Sequence, residues 1–389
     1  MLVGGAGYQV QGIAVAWHVY ELHRSPFDLG LVGLALFLPA FLFVVPAGAL
    51  ADARDRVRVA LVALGCEAAG IVAFLAFAAS GSRSLPGYLA ILFTIGTARA
   101  FGTPAERSIG PSLVAAADYM RVQATYTSLR QVITIGGPAV GGVLVAFGLP
   151  LALGVALALM AAQAVAFLGI GPIGGGSQVA RASLGTALDG IRFIARSPIV
   201  AGAITLDLFA VLFGGATALL PAFADGIFHV GAPGLGLLRG ADGVGAALVA
   251  ALVARRPVRR RIGATLLGAV AVFGFATIAF GLSRNFALSL VLLAVVGGAD
   301  VVSVVIRSSL VQLGTPAEMR GRVNAVESVF IGASNELGEF ESGTLAALVG
   351  VVPAVVLGGV ATLGVIAVAA RAFPALRRAD AFEEAAESG

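Results

Sequence analysis

The 389-residue sequence contains no lysine, one cysteine and three histidines, and each scarcity excludes a class of chemistry. A single cysteine cannot form a disulfide within the chain, and no Cys/His cluster has the spacing of a zinc site. All 25 basic residues are arginines scattered over many loops, which argues against a continuous basic face for nucleic acid. We therefore expect no metal, no cofactor and no nucleic-acid partner.

Charged residues are also scarce, at 12% of the chain, whereas 59% of the residues are hydrophobic and the mean hydropathy is +0.98. One water-soluble core cannot bury that much apolar side chain. The sequence has no P-loop, and the glycine-rich GLGLLRG at residues 234–240 opens an apolar segment instead of following a strand. Met1 leads directly into an apolar segment without a basic region, so no cleavable signal peptide is expected. The composition predicts a polytopic membrane protein that is not an enzyme.

Windows of about 19 residues reveal twelve apolar segments long enough to cross a bilayer as helices. Glycine and proline form several of the tight connections, which predicts an antiparallel helical bundle. The spans are predicted near residues 1–21, 29–51, 58–80, 86–105, 121–147, 149–171, 198–222, 232–254, 262–282, 286–312, 323–349 and 351–372.

The arginines predict how the chain is oriented. If the N-terminus is cytoplasmic, three arginines lie in outer loops and seventeen lie in inner loops and the C-terminal tail. Positive charge concentrates on the cytoplasmic side of membrane proteins. We therefore expect a protein embedded in the lipid bilayer with both termini in the cytoplasm.

The longest inner connection divides the chain into halves. We expect an N-terminal six-helix bundle at 1–171, a cytoplasmic linker at 172–197, a C-terminal six-helix bundle at 198–373 and a cytoplasmic tail at 374–389. The linker begins with glycine-rich sequence, and apolar residues then recur at helical spacing, which predicts an amphipathic helix on the inner leaflet. Those apolar residues are Leu184, Leu188, Ile191 and Ile194.

An internal repeat supports the two halves. RVQA at 121–124 and GPAVGG at 137–142 recur 201 residues later as RVNA at 322–325 and GEFESG at 338–343. Parallel six-helix repeats are a known transporter architecture. The predicted fold class is an all-α membrane protein with 12 transmembrane helices in two pseudo-symmetric six-helix bundles.

Ionisable residues inside the spans are the strongest functional signal, because a charge at the bilayer centre is costly unless it is paired or faces water. Mid-depth carboxylates are candidate proton carriers, since burial favours the protonated acid and a nearby arginine favours the carboxylate. Any of them could instead be a structural ion-pair partner. The candidates for proton coupling are Glu67, Asp207, Asp300 and Glu336.

Other polar residues are spaced to line a cavity. In span 1, Tyr8 and Gln11 are three residues apart, with Trp17 further along, and in span 11 Glu336 and Glu339 share one helix face. The candidate cavity residues are Tyr8, Gln11, Trp17, Arg130 and Glu339.

Small residues mark span 5. GGPAVGG at 136–142 removes side chains from one helix face, and its proline bends the helix, so a neighbouring helix can approach closely. Generic small-residue packing is the alternative in a chain with 53 glycines. The positions concerned are Gly137, Pro138, Gly141 and Gly142.

Along nearly its whole length the sequence resembles the major facilitator superfamily. GALADARDR at 48–56 is similar to the family's loop signature between spans 2 and 3, with Gly48, Asp52 and Arg56 at matching positions. Asp55 and Val57 depart from the signature. The resemblance implies a charge relay that gates the cytoplasmic side, whereas ordinary topology-setting loop charges are the alternative.

Three further segments are most similar to the branch that holds the bacterial enterobactin exporter and its drug-efflux relatives: WHVYEL at 17–22, ARAFGTPAERS at 98–108 and the stretch at 315–343. This resemblance implies proton-coupled export of a small, moderately hydrophobic molecule, drug-like or siderophore-like, by alternating access. It also implies a monomer in a bacterial inner membrane. In the family's arrangement span 5 lies beside the second half, so Arg130 is the expected counter-charge for the carboxylates. A nutrient symporter or uniporter and a lipid-translocating protein are the alternatives.

Overall fold

Helices account for all regular secondary structure in the part of the chain that the computed structural model describes, residues 1–173, 184–316 and 318–382. In an apolar environment no water can satisfy the backbone, so each segment satisfies its own N–H and C=O groups by forming a helix. The predicted all-α class is thereby confirmed.

The chain divides into two units. The first contains Met1–Ala180 and Ala224–Gly240, and the second contains Arg181–Phe223 and Ala241–Gly389. Each unit combines helices from neighbouring parts of the sequence, and the segment that follows residue 223 packs with the first unit although the residues on either side of it belong to the second.

Seven helices of the first unit come from the N-terminal half of the chain: α1 (Leu2–His23), α2 (Pro26–Leu42), α3 (Val44–Ala53), α4 (Arg56–Ala79), α5 (Leu85–Leu113), α6 (Ala116–Ala146) and α7 (Leu149–Ile170). α1 packs along both α6 and α7, and α4 packs along α5. The second unit begins with α8 (Leu184–Arg196) and continues with α9 (Pro198–Phe213), α10 (Leu220–Gly226), α11 (Gly231–Arg255), α12 (Ile262–Leu282), α13 (Phe286–Leu313), α14 (Arg320–Val349), α15 (Val351–Ala372) and α16 (Pro374–Arg378). The end of α10 and the start of α11 lie in the first unit.

The second predicted span is a broken helix. Its residues form α2 and α3, and Phe43 between them is not helical. Pro46 explains the break, because a proline lacks the N–H that would donate to the carbonyl four residues earlier, here Leu42, and its ring clashes with that carbonyl. The seventh predicted span is broken too: Gly214 and Gly215 end α9, and a 3-10 turn at Ala216–Leu219 leads into α10. Adjacent glycines weaken a helix at such a point.

Eight helical segments in the described residues are long and apolar enough to cross a membrane. Four further segments complete the twelve predicted spans: α1, the α2–α3 pair, α5 and α14. These four contain the proline break or polar and charged residues that lower their hydropathy, such as Gln11 in α1, Arg99 in α5 and Glu327 in α14. Three of these four segments therefore contribute polar side chains to the interior, as the apolar helices α4, α9 and α13 also do with Glu67, Asp207 and Arg307.

The linker helix α8 docks on protein. Ile194 packs into a core cluster with Val200, Val323 and other apolar side chains, and Arg322 Nη1 donates to Asp189 Oδ2 at 3.2 Å. The side chains of the first five residues of α8, including Leu184 and Leu188, and the glycine-rich linker before it lie outside the described residues. One face of α8 is thus held against the start of α14.

The small-residue face of α6 allows close helix contacts. A Cβ at Gly137 would lie 2.7 Å from Gln9 Cβ on α1, and one at Gly142 would lie 2.5 Å from the Ala232 carbonyl oxygen on α11. Gly338 matches Gly137 in the internal repeat and is similarly close to a neighbouring helix. A Cβ at Gly338 would lie 2.8 Å from the Leu212 carbonyl oxygen on α9. Both halves therefore use a glycine at the same repeat position to bring two helices together.

Replacing Gly142 with leucine should destabilise the protein, because the new side chain would collide with the α11 backbone. We expect a loss of about 1–3 kcal/mol in the free energy of unfolding, measured as a lower midpoint of thermal unfolding in detergent. Gly136→Leu is the matched control, because a Cβ at Gly136 meets nothing within 4 Å. Equal losses in the two variants would contradict the close-packing role of Gly142.

Candidate functional site

The first unit contains a buried polar network formed by three helices. Arg99 of α5 donates through Nε to Glu67 of α4, and its Nη2 donates to Gln11 Oε1 of α1 at 2.7 Å. The Arg99 guanidinium carbon also lies 4.0 Å from the centroid of the Tyr8 ring. Gln11 and Glu67 are buried. Charge pairing, a charge-assisted hydrogen bond and a cation–π contact together offset the cost of removing these groups from water.

This network forms part of the wall of a cavity of about 710 Å³ inside the first unit. A second polar pair is found in the same wall, where Gln163 Nε2 donates to Glu106 Oε1 at 3.1 Å. Arg107 and Arg130 also line the cavity, and neither guanidinium forms an ion pair or hydrogen bond with any residue that the structure describes. The cavity thus combines satisfied buried groups with two available cationic groups.

Arg130 was the expected counter-charge for the mid-depth carboxylates, but the partner of Glu67 in this structure is Arg99. Arg99 pairs with Glu67, because α4 packs along α5, whereas Arg130 lies on α6 with its side chain exposed to the cavity. The predicted fourth span ended at residue 105, which put Arg99 near a helix end. The observed helix runs to Leu113, so Arg99 lies at its middle.

The second unit buries its own charge cluster around Arg307 of α13. The Arg307 side chain is 4% exposed, its Nε lies 3.1 Å from Asp207 Oδ1 of α9, and its Nη1 donates to Glu327 Oε1 of α14. Asp300, two turns earlier on α13, lines a small pocket together with Asp207. One arginine therefore holds together three helices through two carboxylates.

The two clusters occupy matching repeat positions with inverted charge. Arg99 and Glu106 of α5 correspond, at the offset of 201 residues, to Asp300 and Arg307 of α13. Each helix therefore carries one positive and one negative side chain two turns apart, on the face that points into its own unit. Sequence reasoning missed Arg99, Glu106, Arg307 and Glu327 as site residues, although the repeat offset aligns the first three.

The remaining candidates are distributed more widely. Tyr8 lines the cavity, Trp17 is half-buried on α1, and Glu336 and Glu339 are half-buried on α14. Of these four, Tyr8 joins the Arg99 network.

The three predicted relay residues flank the short connection between α3 and α4: Gly48 and Asp52 lie in α3, and Arg56 begins α4. Arg56 is buried and donates from Nη1 to Ser112 Oγ of α5 at 3.2 Å. Gly48 has open space around the position of a Cβ, and the side chain of Asp52 lies outside the described part of the chain. Asp55, which departs from the family signature, caps α4, because its Oδ1 accepts from Arg58 N at 2.9 Å. Arg56 therefore ties this loop to the end of α5.

Two bundles of membrane-crossing helices, each with an internal charge cluster and one with a polar cavity, define a transporter of the major facilitator type. The chain belongs to the transmembrane secretion effector family of that superfamily, which it matches over residues 1–388. It is a multi-pass membrane protein of a family of transporters, and export is the activity named for its curated relatives.

Two such relatives are the enterobactin exporter EntS of Shigella dysenteriae serotype 1 (strain Sd197) and that of Escherichia coli O1:K1 / APEC. Each is 27% identical over 321 residues, which cover 81% of this chain and 76% of the relative. Among solved structures, a bacterial homologue of the iron transporter ferroportin in the inward-facing state has a TM-score of 0.72 at 15% identity. The nucleoside transporter NupG has a TM-score of 0.69 at 14% identity, and each alignment covers 97% of both chains. At these identities, the similarity of the two structures to this chain is one of fold.

Removing Arg307 should leave two buried carboxylates without a counter-charge. We expect Arg307→Met to lower the free energy of unfolding by roughly 3–5 kcal/mol, and adding Asp207→Asn and Glu327→Gln to the same chain should restore most of it. Thermal unfolding in detergent measures both effects. Arg322→Met, which breaks an ion pair whose two side chains are more than 40% exposed, is the control and should cost less than about 1 kcal/mol. A triple variant no more stable than Arg307→Met would assign the loss to packing instead of charge.

Proposed function

We propose that this protein exports a small, moderately hydrophobic molecule, drug-like or siderophore-like, by proton antiport and alternating access. The observation that carries the proposal is the Glu67–Arg99–Gln11 network, whose Glu67–Arg99 ion pair lines the 710 Å³ cavity. The similarity to enterobactin exporters supports export as the direction. In this proposal the bundles at 1–171 and 198–373 rock about each other as a monomer in a bacterial inner membrane, with both termini cytoplasmic.

The network offers a physical route to coupling. A substrate anion that reached the side of the Arg99 guanidinium now held by Glu67 would compete with that carboxylate for the same N–H donors. Protonation of Glu67 weakens its hold on Arg99 and frees the guanidinium to face the cavity. A substrate that takes that place would favour the protonated carboxyl, so binding of the proton and of the substrate at this site would be linked.

The cavity wall favours a substrate with both apolar and acceptor groups. A volume of 710 Å³ falls in the range of small-molecule sites. Tyr126, Leu64 and Met160 supply apolar surface, and Arg107 and Arg130 supply donors that no described residue occupies. Guanidinium groups recognise carboxylate, phosphate and similar oxygen acceptors. Enterobactin, which the curated relatives are named for exporting, is therefore a reasonable first probe.

The second cluster gives the coupling candidates of the other half. Asp207 shares Arg307 with Glu327, and Asp300 lies beside Asp207 around a small pocket. More carboxylates than arginines meet there, so the cluster can hold a proton without losing all of its ion pairs. Glu336 on α14 remains a candidate from its position in the sequence.

Neutralising a coupling carboxylate should separate transport from the proton gradient. The variants are Glu67→Gln, Asp207→Asn, Asp300→Asn and Glu336→Gln, and we expect at least one, with Asp207 and Glu67 first, to reduce gradient-driven uptake into everted vesicles at least tenfold. Substrate counterflow should persist, because it needs the conformational cycle but no net proton movement. The probes are enterobactin and compounds from a drug-like panel that raise the midpoint of thermal unfolding of the purified protein.

Glu318→Gln, an exposed carboxylate between α13 and α14, is the matched control for this series. If all four variants keep pH-dependent, gradient-driven transport at the parent rate, proton antiport is wrong for this protein. Transport of the probes without any proton dependence would favour a uniporter, and movement of labelled phospholipid without a gradient would favour a lipid-translocating protein.

We also propose that Gly48, Asp52 and Arg56 form a gate at the cytoplasmic side. The buried Arg56, held by Ser112, gives this loop a fixed anchor on α5. Contacts made in one alternating-access state bias the equilibrium toward that state. Asp52 matches the position at which the family's loop signature has the acidic residue of the charge relay.

Asp52→Asn should leave folding intact and shift the population toward cytoplasm-open states. Single cysteines introduced at the two ends of the bundle in a Cys66→Ser background, labelled from either side of the membrane, report the shift as a higher labelling rate on the cytoplasmic side. Asp55→Asn is the control, because its carboxyl group caps α4 and an asparagine can also cap. Unchanged labelling together with parent-level efflux would remove Asp52 from the gate.

A further inference from the structure

A second, apolar groove lies in the first unit where the α2–α3 break meets α4 and α5. Its volume is about 890 Å³, and Phe43 lies at the break itself, with its ring centroid 5.7 Å from that of Phe101 on α5. Because Phe43 is not helical, the two short helices do not form one continuous surface against α4 and α5. The body of the groove is lined by Leu50, Val59, Val62, Phe93 and Phe101.

One end of the groove is basic. Arg54 and Arg58 line it, both are exposed, and neither guanidinium forms an ion pair or hydrogen bond with another described residue. Asp55 lies between them in sequence and also lines the groove, but its Oδ1 accepts from the backbone N–H of Arg58. Two cations therefore face one carboxylate, which is already engaged as a helix cap.

The length of the groove fits one leaflet of a bilayer. From Arg58 to Cys66 on α4 and from Phe101 to Phe93 on α5, the lining extends over eight residues, or about 12 Å of helix. Half of a hydrocarbon core of ~30 Å is about 15 Å. A basic end followed by one leaflet's depth of apolar wall matches the charge and shape of an anionic phospholipid.

We propose that this groove binds an anionic phospholipid, with its phosphate group at Arg54 and Arg58 and an acyl chain along the apolar body. Arginine binds phosphate oxygens through paired N–H donors, and anionic lipids attract basic segments at a membrane surface. A zwitterionic lipid would fill the apolar body but bring a cation to the basic end. The charge of the groove therefore selects the headgroup.

The bound lipid would lie directly behind the polar network. Ala63 of α4 and Ala98 of α5 line both the groove and the 710 Å³ cavity. The two helices are close at this wall, since a Cβ at Gly102 would lie 2.8 Å from Ala63 Cβ. Glu67, one helical turn after Ala63, and Arg99, directly after Ala98, form the ion pair of the network. An acyl chain in the groove would therefore support the helix pair that holds this ion pair.

Native mass spectrometry of the full-length protein with phosphatidylglycerol or phosphatidylcholine tests the headgroup. We expect tighter binding of phosphatidylglycerol, and Arg54→Gln/Arg58→Gln should weaken it about tenfold or more while leaving phosphatidylcholine unchanged. Arg255→Gln/Arg256→Gln removes two exposed arginines that do not line the groove and should have little effect. Equal binding of the two lipids, or an unchanged affinity in the Arg54/Arg58 variant, would overturn the proposal.

Cys66, the only cysteine in the chain, lines the groove and reports its occupancy. Its reaction with N-ethylmaleimide should slow severalfold when the protein moves from phosphatidylcholine to phosphatidylglycerol nanodiscs, and the Arg54/Arg58 variant should lose this difference. Val62→Trp narrows the groove and should reduce phosphatidylglycerol binding, whereas Val72→Trp, on the same helix but outside the groove, should not. Dimers that dissociate in the Arg54/Arg58 variant would instead assign the groove to a second copy of the chain. Identical rates of Cys66 labelling in the two lipids would contradict selective binding of the anionic lipid.

Discussion

A charge buried among apolar helices is stable only if a neighbouring helix supplies its partner, and this constraint organises both units. Arg99 is satisfied from α4 and α1, and Arg307 from α9 and α14. Each arginine thereby links three helices through polar side-chain contacts, which apolar packing alone does not provide. Because breaking one partner leaves the others uncompensated, these clusters fix which helices are neighbours and at what depth.

Hydropathy and charge were sufficient to predict the helical class, the twelve segments and most helix ends. They were least accurate for α5, whose charged residues line the cavity of the first unit. The fourth span was ended early because Glu106 and Arg107 lower the local hydropathy, yet the helix continues through them and they line the cavity. A charge that faces a cavity has the same effect on a hydropathy window as a charge in a loop, so sequence windows shorten the helices that carry a site.

The partners of buried charges could not be predicted from one sequence. Spacing along a helix shows which residues share a face, as for Glu336 and Glu339, but the choice of Arg99 over Arg130 for Glu67 depends on which helices touch. The repeat gives a partial guide, because it aligns Arg99 with Asp300 and Glu106 with Arg307. Their partners are not repeated: the position matching Glu67 is Gly268, and the position matching Asp207 is Ala6. The two halves therefore pair their buried charges through different residues.

The break at Phe43 makes α3 a short lever. Its ten residues span about 15 Å, so a rotation of about 10° at Phe43 would carry the turn after Ala53 through roughly 2.6 Å. That displacement is close to the length of a hydrogen bond, which is enough to make or break one at the far end of the helix. A change of backbone torsion at a single residue can therefore be converted into a change of contacts around Arg54 and Arg56, while α2 keeps its packing against α5.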